Sequence, residues 1–261
     1  MLLRAVLAAV LIAVALSYAC RARVAPPAQA MLRIPRRVVQ TSASLGAVPA
    51  KVYSNIARFA PGYEHVVLDD AAALAFIAAH YGGDVVRAFR GLRVGAHKAD
   101  MLRYCLLYMH GGVYLDIKTE LTRPLQCLFH SRPDVDLYVV LQNDGRGIYN
   151  GVIAAKPGNA LFLHLIREMM PLCSGDVPYE VFVRQFLEVL SRGLHEPLRC
   201  GVALRSDWGT VYALREGCTL RAGDCHDGLD RYGLCCYIHD GDERVIKVRY
   251  SDYPFRAGAG A

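Results

Sequence analysis

Three polar residues in the middle of the chain have the types and spacing of a ligand-binding site. Asp100 and Arg103 are three positions apart, so a helix would place them on one face, and Asp116 follows a short apolar run. Carboxylates bind divalent cations or accept hydrogen bonds from ligand hydroxyls, and a guanidinium donates to anionic groups. Alone, the first two would be an exposed ion pair worth a few tenths of a kcal/mol, but the three together predict a polar binding site.

Residues 113–118 add two side chains to this group. Successive side chains of a strand point to opposite faces, so the apolar residues of this run would lie in the core. The other face would carry Tyr114, Asp116 and Lys118 near the carboxyl end of the strand, where ligands of α/β sheets bind. A glycine pair before the strand would fold the preceding helix back toward it.

Strand-like and helix-like segments alternate through the chain. Runs of β-branched residues predict strands, and apolar stripes closed by glycines predict helices. Such alternation is typical of a three-layer α/β domain with a mixed central sheet. We predict strands at residues 34–41, 64–68, 113–118, 137–141, 148–155 and 245–248, and helices at residues 71–80, 84–92, 97–110, 161–170 and 181–190.

Residues 1–30 differ in kind from the rest. A basic start precedes an apolar run at residues 5–19, and a proline-containing linker at residues 25–28 follows. The run is typical of a secretory signal and is short for a membrane span of roughly 20 residues. We favour a retained signal anchor over a cleaved signal peptide, and we expect one domain over residues 31–257.

The composition favours a folded protein that attracts anions. The chain has 261 residues, of which 54% are hydrophobic and 21% charged, and its net charge is +6. Lysine and arginine are spread along the sequence, without the clustered basic helix or zinc-finger spacing of nucleic-acid binders. We therefore expect phosphate-bearing ligands or anionic surfaces as partners, and no nucleic acid.

Nine cysteines agree with an oxidising compartment. Five of them fall within residues 200–239, and we interpret this cysteine-rich part as a loop-rich end held by one or two disulfides. The alternative is a zinc site, although this part contains no C-x-x-C pair. That site would use Cys225, His226, Cys235, Cys236 and His239.

Two neighbouring motifs resemble those of a known family. Residues 97–104 (HKADMLRY) and residues 111–116 (GGVYLD) are similar to the DXD-containing sugar-binding region of the glycosyltransferase 32 family. That family includes initiating α-1,6-mannosyltransferases, sphingolipid mannosyltransferases and capsular polysaccharide enzymes. Residues 34–41 look like the family's first strand, and residues 149–158 look like its next landmark. The resemblance fades beyond residue 201.

The resemblance implies a GT-A-like fold and a glycosyltransferase. The enzyme would move a hexose of the mannose or galactose type from a nucleotide sugar to a glycan or glycolipid acceptor, with retention. Its place would be the Golgi membrane as a single-pass type II protein, or the lumen or outside of the cell after signal cleavage. Asp116, Asp100 and Arg103 would be catalytic. We assign nucleotide-sugar binding to Gln40, Thr41, Asp100, Arg103, Tyr114, Asp116, Lys118 and Asn150.

Position 118 departs from the family pattern. Lys118 stands where the second aspartate of DXD would bind Mn²⁺ or Mg²⁺ beside the diphosphate. Two aspartates plus a divalent cation sum to zero charge, and so do Asp116 and Lys118 without a metal. A cation held 4 Å from Lys118 would meet about 4 kcal/mol of repulsion per unit charge at an effective dielectric of 20. We therefore prefer metal independence, the alternative being that Asp116 and His239 hold the metal.

The missing carboxylate also leaves a second functional class open. A degenerate relative could bind a nucleotide sugar or glycan without turning it over. Loss of turnover on substituting Asp116 with Asn would separate an enzyme from such a binder, because an inert binder has no turnover to lose.

Overall fold

The computed structural model describes residues 33–173, 175, 177–220 and 234–248, and in these residues the chain alternates between helices and strands. Two short 3₁₀ helices, Leu45–Ala47 and Met170–Leu172, lie between the longer elements. The strands are β1 (Arg37–Thr41), β2 (Glu64–Leu68), β3 (Gly112–Leu115), β4 (Thr119–Leu121), β5 (Leu137–Leu141), β6 (Val152–Ala155), β7 (Ala203–Ser206), β8 (Gly209–Thr219), β9 (Cys235–Asp240) and β10 (Glu243–Val248). The α-helices are α1 (Ala50–Phe59), α2 (Asp70–His80), α3 (Gly83–Gly91), α4 (Gly95–His110), α5 (Leu125–Phe129), α6 (Leu161–Met169) and α7 (Val181–Arg192).

All of these strands belong to one mixed sheet. Its order is β2-β1-β3-β6-β5-β8-β9-β10-β4, and β7 pairs with β8 beside this path. The pairs β1–β2, β1–β3 and β5–β8 are parallel, and the other pairs are antiparallel. The predicted mixed α/β sheet is therefore confirmed. The carboxyl ends of β1, β3, β5 and β8 lie along the same edge, because two antiparallel steps through β6 restore the strand direction.

Helices cover both faces of the sheet, which gives the predicted three layers. Val39 and Tyr114 lie in one buried cluster with residues of α2, α3, α4, α6 and α7. Their neighbours Val38 and Val113 point the other way, into a cluster with residues of α1 and α5. Adjacent residues of β1 and β3 thus enter different cores, as the alternation of a strand requires.

The sheet curls so that its far end returns to β3. β4 begins only four residues after the end of β3, which is at most about 13 Å of extended chain. Along the sheet, however, β6, β5, β8, β9 and β10 stand between these two strands. Side chains of β3, β4 and β10, including Leu115, Leu121 and Ile246, meet in a single buried cluster, so this face lies inside the curl.

The predicted strand 113–118 is wrong at its end. β3 stops at Leu115, and the next three residues form a turn closed by the Thr119 N–H, which donates to the Asp116 carbonyl oxygen at 2.9 Å. The Thr119 hydroxyl donates to the same oxygen at 2.7 Å. A turn was not foreseen because the alternation of apolar and polar side chains continues through Lys118.

Several other boundaries also differ from prediction. The second strand was predicted correctly at Glu64–Leu68, and the predicted helices differ by at most two residues at either end. The predicted strand 148–155 is wrong in its first half, because β6 begins at Val152 and residue 148 makes only an isolated bridge. Helices α1 and α5 were missed.

The cysteine-rich end is not loop-rich in the residues described. Residues 203–219 and 235–240 contribute β7, β8 and β9 to the sheet. Cys218 and Cys236 form a disulfide between β8 and β9, which agrees with the disulfide interpretation, and Cys235 is also disulfide-bonded. Two cysteines of the proposed zinc site are thus in disulfides. Cys225 and His226 lie outside the described residues.

The N-terminal segment lies outside the described residues, so residues 1–30 stay an expectation. Among the helices that the structure does describe, none is both long and apolar enough to cross a membrane.

Candidate functional site

Arg103 joins two carboxylates at the sheet edge. Its Nη1 lies 3.4 Å from Asp100 Oδ1, and its Nη2 lies 3.4 Å from Asp116 Oδ1. Asp100 and Arg103 stand on α4, and the turn at Gly111 and Gly112 brings that helix against β3. All three charged residues are less than 9% exposed. The predicted convergence of these side chains is therefore what the structure shows.

Asn150 is the hydrogen-bond donor to Asp100. Its Nδ2 donates to Asp100 Oδ1 at 2.9 Å, and it reaches this position from the loop before β6. Burial raises the pKa of the Asp100 carboxyl, while Arg103 and Asn150 act to lower it, and the net direction is upward. Burial lowers the pKa of Arg103, but Tyr114 and the two carboxylates outweigh it, so the pKa is raised and the guanidinium stays charged.

Tyr114 links β1 to Asp116. Its hydroxyl donates to Asp116 Oδ1 at 3.1 Å and lies 2.9 Å from Thr41 Oγ1, so the Thr41 hydroxyl is its donor. The Arg103 guanidinium stacks on the Tyr114 ring, 4.4 Å from its centroid. Burial raises the pKa of Tyr114, which therefore stays a neutral donor. The tyrosine positions both charged partners of the site.

Gln40 holds the backbone of Asp116. Its Nε2 donates to the Asp116 carbonyl oxygen at 3.3 Å, and its Oε1 accepts from His65 Nε2 at 2.8 Å. The Asp116 N–H donates to the Gly151 carbonyl oxygen at 2.8 Å. Together with the contacts from Thr119, these bonds fix the turn from both sides. Burial lowers the pKa of His65, which favours a neutral donor ring.

Lys118 reaches Asp116 from within the turn. Its Nζ lies 4.0 Å from Asp116 Oδ2, and its side chain is only 6% exposed. The prediction that Lys118 shares a strand face with Asp116 is wrong, since the residue is in a turn, but the turn still places its ammonium beside the carboxylate. The sum of formal charges over Asp100, Arg103, Asp116 and Lys118 is zero.

His239 does not join this network. The residue pairs in register with Arg215 on β8 and Arg244 on β10, and its ring lies over Gly217. Burial and the two arginines lower its pKa. No contact among the described residues joins His239 to Asp116, and their pairing at a metal stays a prediction.

The donor set around Asp116 does not fit a divalent metal. Oδ1 faces Tyr114 and Arg103, and Oδ2 faces Lys118, so each carboxylate oxygen has a cation or a donor as its neighbour. Within the described part of the chain, no group of three or more His, Cys, Asp or Glu side chains is placed to hold a metal ion. A divalent cation prefers several oxygen ligands and would meet two positive side chains here.

Sequence reasoning missed three contributors to the site. His65 stands 25 residues from Gln40, on a neighbouring strand, and only the pairing of β1 with β2 brings them together. Thr119 had a local signal, because threonine three residues after aspartate commonly closes a turn. His97 is 2% exposed and packs edge-on against Phe182 near Asp100, which nothing in the local pattern indicated.

Comparison with known proteins shows what the segment that carries this site is similar to. Residues 48–136 match the family model described as the glycosyltransferase sugar-binding region containing DXD motif. This segment contains Asp100, Arg103, Tyr114, Asp116 and Lys118. This part of the chain is therefore similar to the sugar-binding region of DXD-containing glycosyltransferases, as the resemblance of residues 97–116 implied.

Two relatives from Schizosaccharomyces pombe are mannosyltransferases by name. The chain is 29% identical to inositol phosphoceramide mannosyltransferase 3 over 109 residues, which are 42% of this chain and 29% of the relative. It is 28% identical to an initiation-specific alpha-1,6-mannosyltransferase over 159 residues, which are 52% of this chain and 39% of the relative. The chain thus spans less than half the length of these relatives.

A solved structure, the PaToxG glycosyltransferase, superposes with a TM-score of 0.47 at 13% identity. The superposition covers 61% of this chain and 68% of that one.

Proposed function

We propose that this protein is a glycosyltransferase that moves a hexose from a nucleotide-sugar donor to a glycan or glycolipid acceptor, with retention of configuration. The observation that carries the proposal is the convergence of Asp100, Arg103 and Asp116, with Arg103 in contact with both carboxylates. Buried charges are costly unless a partner or a function retains them. Their position at the carboxyl ends of β1 and β3 is where α/β sheets bind ligands.

The chemistry that these residues supply is positional and electrostatic. Asp100 and Asp116 would accept hydrogen bonds from hydroxyls of the donor sugar, and Arg103 would hold both carboxylates in place. The bond from the anomeric carbon to the diphosphate breaks, the acceptor hydroxyl forms the new bond on the same face, and its proton leaves with the departing phosphate. Charge that develops on the leaving diphosphate would be stabilised by positive side chains nearby.

The names of the relatives and the N-terminal sequence support a choice of hexose and acceptor to test. The names of two relatives state that they transfer mannose, one of them to a phosphoceramide. We propose mannose as the first sugar to test and galactose as the second. Because residues 5–19 are apolar, we propose a type II anchor in the Golgi membrane and an acceptor in or near that membrane.

The test is donor hydrolysis by the full chain in detergent, with GDP-mannose, UDP-galactose, UDP-glucose and UDP-N-acetylglucosamine offered separately. Glycosyltransferases hydrolyse their own donor slowly when no acceptor is present. We expect release of free sugar from one donor well above the others. Binding of a donor without release of sugar, with or without candidate acceptors, would instead show the degenerate binder. The absence of both binding and release would contradict the proposal.

A further inference from the structure

We propose that Lys118 supplies the positive charge that a divalent cation supplies at a DXD site, so that the donor diphosphate binds without a metal. This inference rests on the proposed function, because it concerns the same donor site. It also explains why the turn after β3 carries a lysine where a metal-binding site would carry a second carboxylate.

The position of Lys118 is the first argument. Its side chain is 6% exposed although lysine is rarely buried, and its Nζ lies 4.0 Å from Asp116 Oδ2. The turn that carries it is held by Thr119 and Gln40 through the Asp116 carbonyl oxygen. The ammonium is therefore presented at a fixed place beside the sugar-binding carboxylate, and it does not move freely on the surface.

The second argument is that both carboxylate oxygens of Asp116 already have neighbours. Its Oδ1 accepts from Tyr114 and faces Arg103, and its Oδ2 faces Lys118. A metal ion at this carboxylate would have to displace these neighbours and then stand beside two positive side chains. The same arrangement suits an anion, because ammonium and guanidinium groups are common partners of phosphate.

Charge conservation is the third argument. Replacing the second aspartate of a DXD motif with lysine changes that position from −1 to +1, a change equal to the charge of the divalent ion. The four charged side chains Asp100, Arg103, Asp116 and Lys118 already sum to zero, which is the sum that two DXD carboxylates reach only with their metal. The diphosphate would therefore meet the same total charge at this site without a metal as at a DXD site with its metal.

Binding of GDP and UDP to the full chain, measured by isothermal titration calorimetry in EDTA and then in Mn²⁺, tests this proposal. We expect the better nucleotide to bind wild type equally in both buffers, within about twofold. Lys118→Met keeps the length of the side chain and removes its charge, so its affinity should fall about tenfold in both buffers.

Lys118→Asp restores the DXD pair and should convert the site to metal dependence. We expect its nucleotide affinity in EDTA to fall by at least about tenfold and to recover when Mn²⁺ is added. Arg192→Asp, an equal charge reversal at the exposed end of α7, should leave affinity unchanged in both buffers. If Lys118→Asp does not fold, the affinities of wild type and Lys118→Met in the two buffers still show whether the lysine replaces the metal.

The outcomes separate this inference from the function on which it rests. Wild-type binding that disappears in EDTA and returns with Mn²⁺ overturns the metal-free site and leaves the glycosyltransferase proposal standing. Unchanged affinity in Lys118→Met overturns the role of the lysine. A wild-type protein that binds no nucleotide in either buffer, and hydrolyses no donor, overturns the proposed function itself.

Discussion

The hydrogen bond from Asn150 acts on the pKa of Asp100, and this can be tested through the pH dependence of activity. Burial raises the pKa of Asp100, and the Asn150 hydrogen bond opposes that shift. Asn150→Ala removes the donor, so the pKa of Asp100 should rise further and the acid limb of the kcat/KM profile should move to higher pH. At neutral pH we expect kcat/KM to fall about tenfold. The measurement is the pH dependence of donor hydrolysis.

The control for this experiment is Asn143→Ala, a substitution on the exposed loop after β5. It should leave the acid limb in place. A loss of activity in Asn150→Ala that is uniform across pH would show that Asn150 does not act through the ionisation of Asp100.

The convergence of Asp100, Arg103 and Asp116 could be predicted from the sequence, because it follows from spacing within one helix and from the turn after it. Helical spacing put Asp100 and Arg103 on one face, and the glycine pair turned the helix toward Asp116. The placement of His65 against Gln40 could not be predicted, since it depends on two strands pairing across 25 residues. The participation of His239 was predicted and not found, because the register of β9 puts it beside two arginines.

The connection between α4 and β3 depends on backbone shapes that only glycine adopts easily. Gly111 has φ of 61°, and a Cβ there would lie 2.6 Å from Pro157 N and 2.7 Å from the Ala155 carbonyl oxygen. Gly111→Ala should therefore lower the free energy of unfolding by at least about 3 kcal/mol, from backbone strain plus overlap with fixed backbone atoms. Urea unfolding measures this loss.

Gly62→Ala is the matched control. Gly62 also has positive φ, at 78°, but nothing lies within 4 Å of a Cβ built there. Its substitution should cost only the strain of the left-handed backbone, about 1 kcal/mol. Equal losses at the two positions would show that close packing at the α4–β3 connection is not what requires glycine.

Helices and strands were predicted correctly where a segment buries one face or where a residue such as glycine marks its end. Helix α4 ends at glycine, as predicted, and β2 is found at its predicted bounds. Strand β8 was missed because its central residues, from Val211 to Leu214, are buried on both faces and show no alternation of apolar and polar side chains. β4 was missed because its partner β10 lies more than 120 residues away.

An ion cluster around Asp136 joins distant parts of the chain at the edge of the sheet opposite the candidate site. Asp136 accepts from Arg33 at 2.8 Å and from the Thr210 N–H at 2.9 Å, and Lys156 lies 3.1 Å away. Burial acts to raise the pKa of Asp136, but these partners outweigh it, and the pKa is lowered. A carboxylate with a lowered folded pKa stabilises the fold above its unfolded pKa and loses that contribution as pH falls through the folded value.

Asp136→Asn should consequently be most destabilising at neutral pH. We expect a loss of about 1–2 kcal/mol there, since both basic partners are partly exposed and screened. The difference from wild type should shrink below about pH 4, where the unfolded carboxyl begins to protonate. Urea unfolding across this range is the measurement, with the exposed Asp134→Asn as control. A difference that does not change with pH would contradict the role given to the ionised carboxylate.

The curl of the sheet could not be predicted from the sequence, yet it places the turn of Asp116 and Lys118. The turn runs directly from β3 into β4, and β4 is held at the far end of the sheet by β10. Local patterns describe each strand but not which distant strand will pair with it. The geometry at Lys118 is therefore a property of the whole sheet.

Comparing wild type with Asp116→Asn on whichever nucleotide sugar the wild type hydrolyses tests the central claim most directly. The substitution keeps the size of the side chain and removes the charge that Arg103 and Lys118 face. We predict that kcat falls by at least about 100-fold, while Asp207→Asn, at an exposed turn, keeps wild-type activity. Equal turnover in wild type and Asp116→Asn would contradict the assignment of donor chemistry to this cluster.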